Sequence, residues 1–124
     1  MALSKKVLVV DDEDTIRETL ALGLSDFGWE VTMCSDCSSA LKHNSPFDVY
    51  LLDLSLPGED GFQLAASLRK KFGKVPIVLL TGYLTASLEE KARKCNISAI
   101  VRKPFKFEEL DKLLSEVRIK KKSN

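Results

Sequence analysis

Residues 6–14 read KVLVVDDED and residues 49–53 read VYLLD, so in both stretches a short apolar run ends in carboxylates. Apolar runs of this length that are rich in β-forming residues predict buried strands. Strands that are apolar at nearly every position are covered on both faces, which is typical of parallel sheets. The run VPIVLL at 75–80 has the same character. We therefore predict a parallel sheet with the strands at 49–52 and 75–80 in its centre.

Strands and helices are predicted to alternate along the rest of the chain. Residues 14–27, for example, carry apolar side chains near helical spacing, with acids in the first turn and a glycine after the end. Such alternation predicts a doubly wound α/β fold, in which right-handed crossovers put helices on both faces of a five-stranded parallel sheet. A common strand order for this fold is 2-1-3-4-5. The predicted strands are Lys6–Val10, Trp29–Met33, Val49–Leu52, Val75–Leu80 and Ile97–Val101, and the predicted helices are Asp14–Phe27, Ser38–His43, Gly61–Phe72, Leu84–Cys95 and Phe107–Val117.

Length and composition predict one globular domain. The chain has 124 residues, of which 44% are hydrophobic, and its formal net charge of +1 offers no broad basic field for direct nucleic-acid binding. No apolar run approaches the roughly 20 residues that span a bilayer. Three cysteines are too few for a disulfide scaffold. We expect a single cytoplasmic domain over 1–124, with its core at about 5–118 and a basic tail or linker stub at 119–124.

Carboxylates follow strands one and three of the predicted sheet. Asp11 and Asp12 come after the first strand and Asp53 ends the third, so the order 2-1-3-4-5 would bring them together at one sheet edge. Clustered carboxylates repel one another unless a proton or a cation intervenes, and Mg²⁺ prefers such oxygen ligands. Capping of the first helix is an alternative role for the acids at 11–14 and is the favoured one for Asp14. Asp53 has no helix to cap, which favours the cation site.

The ends of strands four and five add a hydroxyl and a cation to the same edge. Thr81 can donate to a phosphate oxygen, and Lys103 can offset negative charge. Taken singly, Thr81 followed by Gly82 is more typical of a turn, and Lys103 is more typical of a solvated surface. Together with the acids, they favour a site that handles phosphate.

Four segments resemble, in order and spacing, the receiver domains of two-component response regulators: VLVVDDE at 7–13, YLLDLSLPGEDGF at 50–62, LLTGY at 79–83 and VRKPF at 101–105. The resemblance covers about 5–117 and implies a flavodoxin-like α/β fold. It implies that Asp53 accepts a phosphoryl group, and that Thr81 and Lys103 contact that group. It also implies that Mg²⁺ or Mn²⁺ is held by Asp11, Asp12, Asp53 and the backbone carbonyl of Ser55.

The resemblance further implies a signalling role. A sensor histidine kinase or phosphotransfer protein would supply the phosphoryl group, and the face formed by helix 4, strand 5 and helix 5 would respond. A downstream effector or an output domain absent from this chain would read that change, with the chain a monomer or a phosphorylation-dependent homodimer. It would not be an enzyme beyond its own phosphorylation and dephosphorylation.

Local features of the family are also expected. The resemblance implies a cis Lys103–Pro104 bond, and a turn at Pro57, Gly58 and Asp60-Gly61. Ile100 departs from the family pattern, since many receivers have an aromatic switch residue there. Tyr83 either shields the phosphorylated site from water or packs on helix four.

Three other functions are weighed against this one. A small haloacid-dehalogenase-like phosphatase would use an acid after strand one, and Asp12-Glu13-Asp14 partly matches its DxD pattern. A flavodoxin-like flavin protein needs a phosphate loop after strand one, where the acids would repel phosphate. A receiver that only docks without phosphorylation would not need the full set of acid, hydroxyl and lysine.

Several other polar residues are set aside. Cys34 and Cys37 have the spacing of a redox pair, but nothing electropositive flanks them in the sequence. His43 is expected on a helix surface, and Met33 and Trp29 are expected in or beside the core.

Overall fold

The structure is a computed structural model that describes residues 5–56 and 58–122, with side chains described as far as residue 118. Within that part of the chain, five strands and five helices alternate without exception. The predicted alternation is therefore confirmed. In chain order the elements are β1 (Lys6–Val10), α1 (Asp14–Ser25), β2 (Glu30–Cys34), α2 (Cys37–Leu41), β3 (Val49–Asp53), α3 (Gly61–Phe72), β4 (Ile77–Thr81), α4 (Ala86–Lys94), β5 (Ala99–Arg102) and α5 (Phe107–Lys122).

The strands form one parallel sheet in the predicted order, β2-β1-β3-β4-β5. Val10 pairs with Leu52, so β1 and β3 end side by side. The main-chain ladder continues past two strand ends, because Leu54 donates to Leu80 O at 2.9 Å and Lys103 donates to Thr81 O at 2.8 Å. The carboxyl ends of the four strands β1, β3, β4 and β5 are thereby held at one edge.

Two hydrophobic cores cover the two faces of the sheet. Every residue of β3 and β4 is buried, as their apolar sequences predict. Tyr50 and Leu52 face the core formed with α2, α3 and α4. Val49 and Leu51 face the core formed with α1 and α5. None of the described helices is both long enough and apolar enough to cross a membrane.

Helix α5 extends beyond its predicted end at Val117 and continues to Lys122. Lysine has a good helix propensity, and positive charge near a helix C-terminus interacts favourably with the helix dipole. Residues 119–122 of the expected tail therefore continue the helix, whereas 123–124 lie outside the described residues.

Most other elements differ from their predicted bounds by one or two residues at an end, and the differences that affect named residues lie in the edge strand β2 and the short helix α2. Strand β2 begins one residue later than predicted, and Met33 is 44% exposed, so its expected core position is wrong. Trp29 is buried as expected, and its ring N–H donates to Asp111 at 2.7 Å. His43 lies after α2 rather than on it and packs edge-on against Phe47.

Gly23 allows α1 and the start of α5 to approach closely. A Cβ atom built at this position would lie 2.3 Å from the ring of Phe107, far inside van der Waals contact. Phe107 in turn packs against the core beneath α1 and α5 and stands edge-on to Phe105. The missing side chain at position 23 is therefore what makes room for the aromatic ring.

We predict that Gly23→Ala destabilises the protein by about 1 kcal/mol. The alanine gains about 0.5–1 kcal/mol of helix propensity, but displacing a packed ring costs about 1–3 kcal/mol. Urea unfolding provides the measurement. Gly82→Ala is the control, because its added Cβ would contact nothing within 4 Å.

The cause is tested by repeating Gly23→Ala in a Phe107→Leu background. Without the ring in place, the alanine should be neutral or stabilising. Equal destabilisation in both backgrounds would contradict the steric explanation.

Candidate functional site

Three carboxylates converge at the edge where β1 and β3 end. One ligand oxygen each from Asp11, Asp12 and Asp53 lies within 4.8 Å of the other two. The pairing of Val10 with Leu52 produces this convergence, because it places the residues that end the two strands next to each other. Asp11 is fully buried, Asp53 is buried and Asp12 is exposed. The convergence expected from the strand ends is therefore present.

Lys103 reaches this cluster from the end of β5. Its Nζ lies 3.8 Å from Oδ2 of Asp11 and 3.9 Å from Oδ1 of Asp53, so it forms long ion pairs with both carboxylates. The Lys103–Pro104 peptide bond is cis, as the family resemblance implies. Lys103 is therefore a partner of the acids and not a solvated surface lysine.

The electrostatic environment of Asp53 resists ionisation. Burial is the main cause of a raised pKa for this carboxyl, and the neighbouring Asp11 and Asp12 raise it further. Lys103 and the N–H of Ser55, which donates to Oδ1 at 3.3 Å, oppose the shift. Burial and the neighbouring acids together therefore outweigh the opposing effects of Lys103 and the Ser55 N–H on the pKa of Asp53.

The donor set fits a hard divalent cation. Oδ1 of Asp11 accepts a hydrogen bond from the N–H of Glu13 at 2.9 Å. Its Oδ2 is buried and has no hydrogen-bond partner among the described residues. A buried carboxylate oxygen that has only a long ion pair and no hydrogen bond is costly, whereas an oxygen-ligated Mg²⁺ would satisfy it. The neighbouring oxygens of Asp12 and Asp53 complete a plausible set of ligands for such an ion.

The acids after β1 do not cap α1 with their side chains. The N-cap residue is Glu13, and its side chain makes no capping hydrogen bond. Asp14 is the first helical residue and forms an ion pair with Arg17. Asp11 and Asp12 lie before this N-cap, which favours the cation site over the capping role for these two residues.

Arg17 was missed by the sequence analysis. Its Nη1 donates to the backbone carbonyl of Asp11 at 2.7 Å, while the other end of the guanidinium pairs with Asp14. The side chain is only 17% exposed. The i,i+3 spacing of Asp14 and Arg17 could have indicated the ion pair, but no sequence pattern marks a bond to a carbonyl.

Thr81 lies at the end of β4, and its hydroxyl is engaged locally. Oγ1 accepts from the N–H of Tyr83 at 3.2 Å and lies 3.3 Å from the carbonyl of the same residue. Tyr83 is 79% exposed, so any packing of its ring on α4 would leave most of the residue in solvent. Thr81 therefore sits at the site edge with its hydroxyl turned to the following loop.

The loop between β3 and α3 packs closely against the main chain of Asp53. A Cβ at Gly61 would lie 2.9 Å from Asp53 O and 3.1 Å from the Cα of Leu54, so only glycine fits here. Asp60 and Gln63 form a reciprocal capping box that begins α3 at this point. The expected turn is present as far as it is described.

The structure says less about two other residues expected in this loop, Pro57 and Ser55. Pro57 lies outside the described residues. Ser55 is near Asp53 through its N–H, and its carbonyl as a metal ligand remains a prediction.

The cysteine pair shows no sign of redox chemistry. Cys34 and Cys37 are both free and buried. Burial raises the pKa of both thiols, and the nearby Asp36 adds to the effect. Both cysteines therefore favour the unreactive thiol, in agreement with the sequence-based expectation.

Comparison with known proteins gives a consistent result. The family model for the response regulator receiver domain matches residues 7–115. Regulatory protein AtoC of Escherichia coli is 29% identical over 113 residues, which are 90% of this chain and 24% of that protein. The chain thus spans about a quarter of this curated relative.

Solved structures agree with the sequence comparison. The chemotaxis protein CheY4 of Vibrio cholerae is 30% identical, with a TM-score of 0.82 over 93% of this chain and 99% of that one. A response regulator receiver domain protein from Clostridium thermocellum is 25% identical, with a TM-score of 0.88 over 95% and 97%.

We predict that, without divalent cations, Asp53→Asn is more stable than the parent at neutral pH. A raised folded-state pKa means that the neutral carboxyl favours the folded state, and this contribution is lost as the pH rises through that pKa. The advantage of the variant should therefore shrink as the pH falls toward 3.8, the ordinary value for the carboxyl.

Urea unfolding in the presence of a chelator, over a series of pH values, measures this difference. Asp26→Asn serves as the control, because Asp26 is an exposed carboxyl at the far end of α1. A gap that widens toward acid pH, or a parent that is the more stable protein at neutral pH, would contradict the interpretation.

Proposed function

The chain belongs to the family of response regulator receiver domains, and from that premise we propose that Asp53 is the residue that accepts the phosphoryl group. The domain is a phosphoryl-accepting signalling switch. The observation that carries the assignment is the position of Asp53 at the end of the central strand β3. There it lies within 4.8 Å of two more carboxylate ligand atoms and 3.9 Å from Lys103 Nζ.

In the proposed reaction, a carboxylate oxygen of Asp53 attacks the phosphorus atom of a phosphohistidine or a small phosphodonor. A bond forms between that oxygen and phosphorus, and the bond from phosphorus to the donor breaks, leaving its electron pair on the donor. The product on the chain is an acyl phosphate. Attack requires the ionised form of Asp53, so the lysine that lowers its pKa favours the reaction.

Asp11, Asp12, Asp53 and the Ser55 carbonyl would hold Mg²⁺ or Mn²⁺. When bound, such an ion neutralises negative charge between the carboxylates and the incoming phosphate oxygens. The role of the protein is mainly electrostatic and positional, since phosphoryl transfer needs little covalent participation beyond the nucleophile.

We propose that Thr81 and Lys103 convert phosphorylation into a change of shape. The new phosphate oxygens would attract the Lys103 ammonium and the Thr81 hydroxyl. To reach them, Thr81 must give up its contacts with the main chain of Tyr83. Release of that loop would shift the start of α4 and alter the face of α4, β5 and α5.

Ile100 limits which contacts can transmit the proposed change of shape. It is half-buried and packs against the core beneath α4. Since position 100 has no aromatic ring to swing, the Thr81–Tyr83 contact is the proposed origin of the movement. Tyr83, which is largely exposed at this point, is proposed to shield the acyl phosphate from water.

Receiver domains interact with histidine kinases or phosphotransfer proteins and with effector domains. For this chain, we propose a phosphohistidine-bearing donor and an effector that reads the α4–β5–α5 face. We also propose that residues 1–124 form one domain with a core at about 5–118. Membership of the family disfavours the phosphatase and flavin-binding alternatives, and the complete set of acid, hydroxyl and lysine disfavours docking alone.

We predict that the parent protein takes up one phosphoryl group from acetyl phosphate in the presence of Mg²⁺ and that Asp53→Asn does not. The amide cannot act as the nucleophile, although it has nearly the same size. Intact-mass spectrometry with and without chelator measures the adduct, which should be labile to alkali.

Asp26→Asn is the matched control and should be phosphorylated like the parent. Labelling of Asp53→Asn at the parental level would refute the assignment of this residue. Absence of an adduct on the parent with both acetyl phosphate and a phosphohistidine donor would instead favour the docking role.

A further inference from the structure

The segment that carries two of the acids, residues 11–13, is held from several sides. The N–H of Asp11 donates to Cys34 O at 3.1 Å, which ties the start of the segment to β2. The N–H of Glu13 donates back to Oδ1 of Asp11 at 2.9 Å, which closes a tight turn. The guanidinium of Arg17 supplies the third contact by donating to the Asp11 carbonyl at 2.7 Å.

The Arg17 contact acts on the peptide group that joins Asp11 to Asp12. This carbonyl belongs to the first residue after β1, and its orientation fixes that of the linked Asp12 amide. Asp11 is buried and held by its neighbours, whereas Asp12 is exposed at the surface. The direction of the Asp12 side chain therefore depends on the main chain that Arg17 holds.

The Arg17 side chain is itself well fixed. It is largely buried, and its second anchor is the carboxylate of Asp14, one helical turn earlier. A planar guanidinium can hold a carbonyl and a carboxylate together, whereas the single ammonium group of lysine lacks this fork. The contact thus has geometric requirements that positive charge alone does not meet.

We propose that Arg17 is a positioning residue for the divalent cation, acting through the Asp11–Asp12 peptide to aim Asp12 at the ion. This inference rests on the proposed function, since it deepens the description of the same site. Residues outside the first ligand shell that orient metal ligands affect affinity by about 10–100-fold. Arg17 is the residue of the described chain that we assign to this role for Asp12.

The positive charge of Arg17 affects Mg²⁺ affinity in the opposite direction from its hydrogen bond to the Asp11 carbonyl. A positive charge beside the carboxylates repels a cation, so removing the charge alone would strengthen Mg²⁺ binding. Removing the hydrogen bond to the carbonyl would weaken binding if Arg17 positions Asp12. The two roles therefore predict changes of opposite sign, which makes them separable by experiment.

The test is the affinity of the unphosphorylated 124-residue protein for Mg²⁺ and Mn²⁺, measured by calorimetric titration. Arg17→Lys keeps the charge and loses the fork, and Arg17→Met loses both. We expect Arg17→Lys to bind about tenfold more weakly than the parent. Arg17→Met should also bind more weakly, but by a smaller factor, because it loses the repelling charge as well. Urea unfolding confirms that each variant is folded under the conditions of the titration.

Arg69→Lys is the matched control. Arg69 also donates from its guanidinium to a main-chain carbonyl, that of Cys95 at 2.5 Å, but it does so on α3 away from the acids. This variant should lose a comparable contact and retain the parental Mg²⁺ affinity. A loss of affinity in Arg69→Lys equal to that in Arg17→Lys would mean that general destabilisation explains the effect.

A second measurement tests whether Arg17 acts through Asp12. The measurement is Mn²⁺ affinity in an Asp12→Asn background, followed by electron paramagnetic resonance. In this background, Arg17→Lys should lower the Mn²⁺ affinity by less than about twofold, because the ligand that Arg17 positions is gone. An equal loss in both backgrounds would overturn this route. If Arg17→Lys does not fold, Arg17→Gln takes its place, since the amide retains one donor but not the fork.

The outcomes separate this inference from the proposed function. If the parent binds Mg²⁺ and Arg17→Lys binds it equally well, or if Arg17→Met binds it more tightly, Arg17 does not position Asp12 and the receiver function stands. If the parent binds no divalent cation, the proposed metal site and the role of Arg17 both fail.

Discussion

Mutual repulsion among three carboxylates at one sheet edge is the constraint on which the rest of the site depends. Parallel pairing of β1 with β3 forces Asp11 and Asp53 together, and the hydrophobic cores on both faces keep them largely from water. Burial then raises the pKa of Asp53, the neighbouring acids add to this effect, and Lys103 opposes it. The folded chain therefore favours any further positive charge at this edge, and a divalent cation meets that need without consuming the nucleophile.

At the same edge of the sheet, main-chain hydrogen bonds link the residues proposed to contact the phosphoryl group to the loop proposed to move. The N–H of Lys103 donates to the carbonyl of Thr81, so the two residues that would follow a phosphoryl group are linked by the ladder between β4 and β5. Thr81 is also linked by its side chain to Tyr83, just before α4 begins. A phosphoryl group that draws in both side chains thus acts on one connected unit. Under the proposed function, competition for the Thr81 hydroxyl would give that unit two arrangements.

Sequence patterns predicted those features of the fold and of the site that depend on many residues at once. The strand order and the meeting of Asp11 with Asp53 follow from alternation and from apolar central strands. Features that depend on single contacts were missed. Arg17 binds a main-chain carbonyl, which leaves no signature in sequence. Met33 lies on the edge strand β2, where an apolar residue can face solvent without breaking any pattern. The end of α5 was misjudged because a lysine run is compatible with both helix and tail.

The geometry of Lys103 explains why a cation and a lysine are both needed. Its Nζ is almost equidistant from Asp11 and Asp53, at 3.8 and 3.9 Å, so its charge is shared between them. A phosphoryl group on Asp53 would place negative oxygens beyond the present carboxylate and draw the lysine outward. Asp11, whose Oδ2 has no hydrogen-bond partner among the described residues, would then lose its nearby positive charge while still buried. Under the proposed function, a cation held by Asp11 would remove this penalty and would leave the lysine free to move.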